Sequence, residues 1–291
     1  MLEPRVIESV DGSRVRFDDP GRPRPVRIHL WETPGSKRLV LLSHGTGASG
    51  RDLTWLAEPL VEAGFLVAAV DHHGNNWVDG YLAEGFVHVW ERPADLRHAL
   101  DVVGRERDVD WVGAAGFSAG GYAAGALVGV RLDVDLVRRL AEGEIPDPHI
   151  PEFPGAFASL RATTTAGAVG QLSARAGADQ SDERVRGAFL ICPGDGGMAA
   201  EASLRAVTRP VEIRWGDADV ITPPEETALR YLTLIGGASG RSLGPDVQHH
   251  HLFPDTAEGA EVRAQAGADA VAFFRSQSEL GQMRMPGPSG V

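Results

Sequence analysis

The residues Asp110-Trp111-Val112-Gly113-Ala114-Ala115-Gly116-Phe117-Ser118-Ala119-Gly120-Gly121 carry the clearest structural signal in this chain of 291 residues. Their first half is a short apolar run, which predicts a buried strand. The run leads directly into a G-x-S-x-G motif, and the small residues that follow predict a helix. A serine on a sharp turn between strand and helix strains the backbone, so its flanking positions must be nearly free of side chains. We therefore predict a tight strand-turn-helix unit with Ser118 at its apex.

Strands and helices alternate along the rest of the sequence. Alternating apolar and polar residues predict two antiparallel strands at a sheet edge, residues 5–17 and 26–32. Continuous apolar runs predict interior strands at residues 38–43, 65–70, 185–192 and 211–215. Helical spacing predicts helices at residues 52–63, 93–105, 199–207, 225–234 and 262–274, and a short strand is expected after Ser242. This order is typical of a mostly parallel sheet with helices on both faces.

The segment 131–182 interrupts this alternation. It is rich in proline and alanine, and a structureless loop of this length is uncommon inside a compact domain. We expect a small helical cap there, with a partly disordered insertion as the alternative. Residues 1–130 and 183–276 then form one discontinuous core domain. The glycines and prolines of residues 277–291 predict a flexible tail.

Charge and cysteine content narrow the class of protein. The net charge of −12 argues against nucleic acid and anionic membranes as partners. Cys192 is the only cysteine and lies in an apolar run, which predicts a buried thiol and no intramolecular disulfide. The N-terminus lacks the pattern of a signal peptide, and no apolar stretch is long enough to span a bilayer. We expect a cytoplasmic protein, and the sequence leaves its oligomeric state open.

A reactive serine needs a base, an acid that orients the base, and donors for the oxyanion. The run Ser43-His44-Gly45-Thr46-Gly47 closes the third predicted strand, and its glycines allow a substrate oxygen to approach the backbone. We expect the backbone N–H groups of Thr46 and Ala119 to form the oxyanion hole.

Two carboxylates compete for the role of acid after the strand at residues 211–215. Asp219 is favoured over Asp217, and Asp195 is a third candidate after the preceding strand. The base is expected within the run His249-His250-His251, which gives the chain order Ser, Asp, His. Three consecutive histidines rarely satisfy one tetrahedral ion, so we expect neither a metal nor another cofactor.

The loop after the strand at residues 65–70 supplies further candidates. Loops at the carboxyl ends of parallel strands face the pocket in open α/β sheets. We therefore expect His73, Asn75 and Trp77 to line the substrate pocket, together with His250.

These residues resemble the α/β-hydrolase superfamily, in particular predicted dienelactone hydrolases and platelet-activating-factor-acetylhydrolase-like esterases. The matching segments are Ser43–Gly47, Asp71–Asn75, Arg92–Leu96, Gly116–Gly121, Arg209–Val211, Gly216–Asp219 and the late histidine. The resemblance implies Ser118 as nucleophile and Asp219 as acid. Similar proteins carry a Gly-His-aromatic-x-Phe-Leu segment, which makes His249 the base when it is laid over residues 248–253. Gln248 and His250 depart from that pattern, so His250 stays an alternative.

The expected function is that of a metal-free serine esterase acting on a small to medium ester. Dienelactone hydrolases carry a cysteine nucleophile where this chain has Ser118, so their substrate is not implied. Cleavage of a thioester, lactone or amide uses the same oxyanion step and stays open. The rival interpretation is a hydrolase-fold protein that binds a ligand or partner without turnover.

Overall fold

The structure, a computed structural model, describes residues 2–283 and is built around a central sheet. The strands are β1 (Arg5–Val15), β2 (Pro23–Trp31), β3 (Arg38–Ser43), β4 (Leu66–Asp71), β5 (Asn75–Asn76), β6 (Gly80–Tyr81), β7 (Trp111–Phe117), β8 (Val185–Ile191), β9 (Val211–Trp215) and β10 (Ala238–Ser242). Eight of them form one sheet in the order β1-β2-β4-β3-β7-β8-β9-β10, and β5 pairs with β6 in a separate ribbon.

The sheet is mostly parallel, as the sequence predicts. Strands β4, β3, β7, β8, β9 and β10 pair in parallel, whereas β2 is antiparallel to both β1 and β4. Every residue of β4 and β7 is buried, because helices cover both faces. The parallel register brings the carboxyl ends of β3, β4, β7 and β8 to the same edge of the sheet.

Helices pack on both faces of this sheet. They are α1 (Thr54–Glu62), α2 (Ala83–Val87), α3 (Arg92–Glu106), α4 (Ala119–Ala126), α5 (Val134–Glu142), α6 (Ala156–Thr163), α7 (Ala166–Ala176), α8 (Glu201–Ala206), α9 (Ala228–Leu234) and α10 (Ala260–Met283). Apolar side chains of α1 and α10 form the core on one face, and those of α3, α4, α8 and α9 form the core on the other. None of the helices in the described part of the chain combines the length and apolar character needed to cross a bilayer.

Two predicted boundaries differ from the structure. The last strand, β10, is Ala238–Ser242 itself rather than a segment after Ser242, and it lies within the glycine-rich run. A side chain at Gly240 would place its Cβ 2.7 Å from the Ile213 carbonyl oxygen, so the small residue permits the pairing with β9. Helix α10 continues to Met283, which corrects the tail expected from residue 277; residues 284–291 lie outside the described residues. The buried Ser278 accepts a hydrogen bond from Arg38 (3.4 Å), which holds this end of α10 against the core.

Residues 131–182 contain the three helices α5, α6 and α7. Helix α5 packs against α7, and α6 packs against α2. An isolated β-bridge between Leu132 and Ala199 connects the start of this segment to the loop before α8. We refer to residues 131–182 as the insertion.

Adjacent phenylalanines in α10 provide a test of this packing. Phe274 is fully buried and contacts the rings of Phe65, Trp111 and Phe189, whereas Phe273 is only partly buried. We expect Phe274→Ala to lower the free energy of unfolding by about 3–5 kcal/mol, since it leaves a cavity between α10 and the sheet. The matched change Phe273→Ala should cost clearly less. Urea unfolding measures both, and equal losses would contradict the described position of α10.

Candidate active site

Ser118 occupies the turn between β7 and α4 in a backbone conformation that is rare for a residue with a side chain. Its φ is 57° and its ψ is −124°. The motif glycines make this turn feasible. A Cβ at Gly116 would lie 2.0 Å from the Gly120 carbonyl oxygen, and one at Gly120 would lie 1.9 Å from the Ser43 carbonyl oxygen. The two glycines therefore allow α4 to approach both β7 and the end of β3, and the strain is confined to Ser118.

Backbone hydrogen bonds tie this turn to the neighbouring strand. The Ser118 N–H donates to the carbonyl of Ile191 (2.9 Å), the last residue of β8. The Gly194 N–H, in the loop after β8, donates to the Ser118 carbonyl (2.8 Å). Both peptide groups of the serine are thus held, and only its side chain is left to face the cavities described below.

Asp219 and His249 form a buried, hydrogen-bonded pair. The His249 Nδ1 lies 2.7 Å from Asp219 Oδ2, and Thr222 Oγ1 donates to the same oxygen at 2.7 Å. The backbone N–H groups of Ile221 and Thr222 both donate to Asp219 Oδ1 at 2.9 Å. Burial alone would raise the pKa of Asp219, but the hydrogen bonds from His249 and Thr222 lower it below its usual range. The carboxylate is therefore ionised at neutral pH and accepts a hydrogen bond from the imidazole.

Ser118 and His249 line one cavity of about 350 Å³, which we call the histidine cavity. The ring of Phe117, next to the serine, stacks on the imidazole of His249 with centroids 4.6 Å apart. Thr46 also lines this cavity. The structure thus brings Ser118, His249 and Thr46 to one space, with Asp219 directly behind the imidazole.

The other two histidines of the run have different surroundings. His250 Nε2 pairs with Glu258 on the surface (3.0 Å), and His251 Nδ1 accepts a hydrogen bond from the Gln248 N–H (2.8 Å). Neither lines a cavity that contains Ser118. The run forms a short 3₁₀ turn, in which successive side chains diverge, so His249 alone is directed to Asp219.

A second cavity, of about 180 Å³, also opens on Ser118, and we call it the insertion cavity. Ala119 and Thr46 line it beside the serine. Its far wall is mainly apolar and comes from α2 and the insertion, including Phe86, Val137, Leu140, Phe157 and Leu160. Ser118 therefore lies between two cavities of different composition.

The loop after β3 is held by buried polar groups on both sides. Asn75 Oδ1 accepts from the Gly47 N–H (2.6 Å), and Arg92 Nη1 donates to the His44 carbonyl (2.5 Å). The Tyr81 hydroxyl donates to the Gly47 carbonyl (2.9 Å). These contacts fix the backbone around Thr46, which lines both cavities as Ser118 does.

Two neutral histidines, His44 and His72, also form hydrogen bonds that hold the loop after β3. His44 Nδ1 donates to the Gly45 carbonyl (2.6 Å), and its Nε2 accepts from the His72 N–H (3.2 Å). His72 Nδ1 pairs with Asp95 (2.7 Å), and its Nε2 with the Ser43 hydroxyl (2.7 Å). Burial lowers the pKa of His44 well below its usual value and that of His72 to about 4, so both rings stay neutral at neutral pH.

Of the other residues expected in the pocket, the structure brings only Trp77 to a cavity with Ser118. Trp77 lines the histidine cavity. His73 is buried against Phe17, and its Nε2 accepts from the Phe17 N–H (3.3 Å). Asn75 is fully buried and acts on the loop after β3, and His250 faces the surface. Asn75 is buried because it belongs to the β5–β6 ribbon and its side-chain amide donates to the Gly85 carbonyl (2.9 Å).

Two residues near the site have unusual environments. Asp195 adopts a φ of 55° and lines the insertion cavity, and burial raises the pKa of its carboxyl to about 6. Cys192, with a φ of 42°, is buried beside Asp219, and burial raises the pKa of its thiol well above the usual value. The ligand atoms of Cys192, Asp219 and His249 lie within 4.8 Å of one another. Because Asp219 and His249 already hydrogen-bond each other, this group fits a hydrogen-bonded set better than a metal site.

The sequence did not predict that Arg92 belongs to the site, nor that Asn75 fixes the loop after β3. Arg92 begins α3 and is buried, although arginine is rarely buried, and nothing in its local sequence signals that position. Its guanidinium reaches a carbonyl 48 positions earlier in the chain, a contact that only the fold creates.

Comparisons with known proteins identify the fold. No protein-family model matches the chain, and no curated protein matches its sequence. Among solved structures, a cold-adapted esterase from an Arctic intertidal metagenomic library is similar, with a TM-score of 0.53 and 17% identity over 94% of this chain and 93% of that one. An α/β serine hydrolase homologue from Coxiella burnetii has a TM-score of 0.55 and 15% identity over 92% and 98%. Esterase 2 of Thermogutta terrifontis, phosphoramylated by tabun, has a TM-score of 0.54 and 14% identity over 92% and 94%. The α/β-hydrolase fold predicted from the sequence is confirmed.

A pair of glycine substitutions tests the close approach at the serine turn. Gly120→Ala should lower the free energy of unfolding by more than about 3 kcal/mol, because its Cβ would overlap the Ser43 carbonyl. Gly104 in α3 is exposed with open space around it, so Gly104→Ala should raise stability by about 0.5–1 kcal/mol. Urea unfolding of both variants checks this. Tolerance of alanine at position 120 would contradict the described turn.

His88 allows a test of pH dependence. Its ring is buried between Trp90 and Phe17, and both ring nitrogens lack hydrogen-bond partners among the described residues. Burial lowers the pKa of His88 to about 4. Below about pH 6.5 this histidine is therefore protonated in the unfolded chain while it stays neutral in the folded protein. Stability therefore falls as the pH drops from about 6.5 to about 4.

Substituting Phe for His88 removes this proton uptake. The stability of His88→Phe relative to the wild type should increase as the pH falls from 7 to 4.5, by at most about 3 kcal/mol. Urea unfolding at several pH values measures the difference. A difference that is constant with pH would refute the assignment of a neutral, buried His88.

Proposed function

We propose that this protein is a serine hydrolase that cleaves a small to medium carboxylic ester through an acyl-enzyme intermediate. Ser118 is the nucleophile, His249 the general base and Asp219 the acid that orients it. The observation that carries this proposal is the shared histidine cavity: it is lined both by a serine on a strained turn and by an imidazole that is hydrogen-bonded to an ionised carboxylate. Esterases and serine hydrolases among the similar structures support the same chemistry.

In the first step, Ser118 Oγ attacks the ester carbonyl while His249 Nε2 accepts the hydroxyl proton. The Asp219 carboxylate accepts the Nδ1–H of His249, which fixes the tautomer and stabilises the imidazolium that forms. The lowered pKa of Asp219 keeps this carboxylate ionised throughout.

The negative charge on the substrate oxygen is stabilised by the backbone N–H groups of Thr46 and Ala119. Thr46 is presented by the loop that Asn75 and Arg92 hold, and Ala119 is the first residue of α4. Each such donor contributes a factor of about 10²–10³ to turnover. His249 then protonates the leaving alcohol and activates the water that releases the acid.

The insertion acts as a cap on the core formed by residues 1–130 and 183–276. Its helices form the far wall of the insertion cavity, so it shapes one side of the pocket around a small-molecule substrate. Catalysis by these groups requires no metal or other cofactor.

Labelling with a fluorophosphonate probe and hydrolysis of p-nitrophenyl butyrate test this proposal. Ser118→Ala should abolish labelling and reduce kcat by a factor of about 10⁴ or more. His249→Gln should reduce kcat by a comparable factor. His250→Gln is the matched control and should retain activity, because His250 faces the surface.

Circular dichroism establishes that each variant is folded. A folded wild type that neither reacts with the probe nor cleaves the ester would refute the proposal. Tight binding of an unmodified ligand by such a protein would favour the non-catalytic alternative. Loss of activity in His250→Gln, with activity retained in His249→Gln, would reassign the base.

A further inference from the structure

The position of His249 distinguishes the two cavities. It lines the histidine cavity and is not among the residues of the insertion cavity in the described part of the chain. In the proposed reaction the imidazole must reach the oxygen of the leaving alcohol to protonate it. The proposed reaction therefore requires the alcohol half of the ester on the side of the histidine cavity, which leaves the insertion cavity for the acyl half.

The wall of the histidine cavity is rich in aromatic side chains. Trp55, Trp77 and Phe253 all line it. Trp77 is 55% exposed and Phe253 is 40% exposed, which is unusual for aromatic side chains of this size. The faces of such rings attract cations through the negative charge of the π system.

The same wall carries negative charge, and the described residues that line it include no lysine or arginine. The charge comes from Asp52, Glu152 and Asp255. Trp77 Nε1 donates to Asp52 Oδ2 (2.8 Å), so one of the aromatic rings is hydrogen-bonded to a carboxylate. Glu152 Oε2 accepts only the Thr46 hydroxyl (3.1 Å) among the described contacts.

Two cations outside the lining interact with these carboxylates, and both donate hydrogen bonds to backbone carbonyls instead. Arg92 interacts with Glu152, but it is buried and its Nη1 donates to the His44 carbonyl. Arg263 interacts with Asp255, but its Nη1 donates to the carbonyls of His251 (2.9 Å) and Phe253 (2.6 Å). It is mostly buried and lies outside the lining of the cavity. The carboxylates therefore dominate the potential inside it.

From this combination we propose that the leaving alcohol of the substrate carries a positive charge, as a quaternary ammonium or an amine. The substrate class is an ester of a cationic alcohol with an apolar acyl chain. This inference rests on the proposed function. The aromatic faces bind the cation, the three carboxylates attract it, and the mainly apolar insertion cavity takes the acyl chain.

A matched pair of esters tests the charge alone. Butyrylcholine and 3,3-dimethylbutyl butyrate have the same shape, but a trimethylammonium group in the first replaces a neutral tert-butyl group in the second. We expect kcat/KM to be about tenfold higher for the cationic ester. Raising the salt concentration to 0.5 M should reduce this preference, because it screens the carboxylates.

Variants locate the preference in the cavity. Asp255→Asn and Trp77→Leu should each lower the ratio of kcat/KM between the two esters several-fold. Glu183→Gln is the control for Asp255→Asn, since it removes the same charge from an exposed site outside the cavity, and it should leave the ratio unchanged.

The outcomes separate this inference from the proposed function. Equal or faster hydrolysis of the neutral ester, or cleavage of p-nitrophenyl butyrate but neither of the pair, overturns the cationic alcohol and leaves the serine hydrolase intact. If Glu183→Gln lowers the preference for the cationic ester as much as Asp255→Asn does, the preference comes from the net charge of the protein. That result also overturns the inference. Failure to cleave any of the three esters, with no labelling by the probe, refutes the proposed function itself.

Discussion

The contact between α4 and the end of β3 is the constraint on which the site depends. At Gly120 the helix backbone lies so close to the Ser43 carbonyl that no Cβ fits between them. The backbone of Ser118 also forms hydrogen bonds with Ile191 at the end of β8 and with Gly194 in the loop after it. Three neighbouring strands are thus joined at one place, and each contributes its following loop. The juxtaposition of Thr46, Ser118 and Ala119 follows from this junction rather than from their own side chains.

Buried polar groups give the junction its rigidity. His44 and His72 each donate with one ring nitrogen and accept with the other, a pattern that only the neutral imidazole can supply. Asp71, at the end of β4, accepts from Ser49 Oγ and the Gly50 N–H (both 2.7 Å), so the segment that leads into α1 is anchored to the sheet. Removing one partner of such a buried network leaves the other unpaired, which costs more than the bond itself contributes. The loops of the site are therefore fixed before any substrate arrives.

Much of this arrangement could be predicted from the sequence because it depends on local patterns. Apolar runs mark the interior strands, and the glycines on either side of Ser118 mark a turn that few other residues allow. The order of Ser118, Asp219 and His249 along the chain is also the order that this fold uses for its nucleophile, acid and base. The roles of single polar residues could not be predicted, because their partners are distant in the sequence. Asn75 Oδ1, for example, accepts a hydrogen bond from a backbone N–H 28 positions earlier. Strand β10 consists of small and polar residues with little strand propensity, and pairing with β9 alone makes it a strand.

Cys192 lies directly beneath the aspartate–histidine pair, where a second negative charge would compete with Asp219 for the imidazole. Burial and the neighbouring carboxylate keep its sulfur protonated, and a thiol is a poor nucleophile compared with a thiolate. The sole sulfhydryl of the chain is thereby sealed from solvent. In the folded molecule this thiol is out of reach of alkylating reagents and of the thiol of another copy, so we expect neither alkylation nor a disulfide between copies.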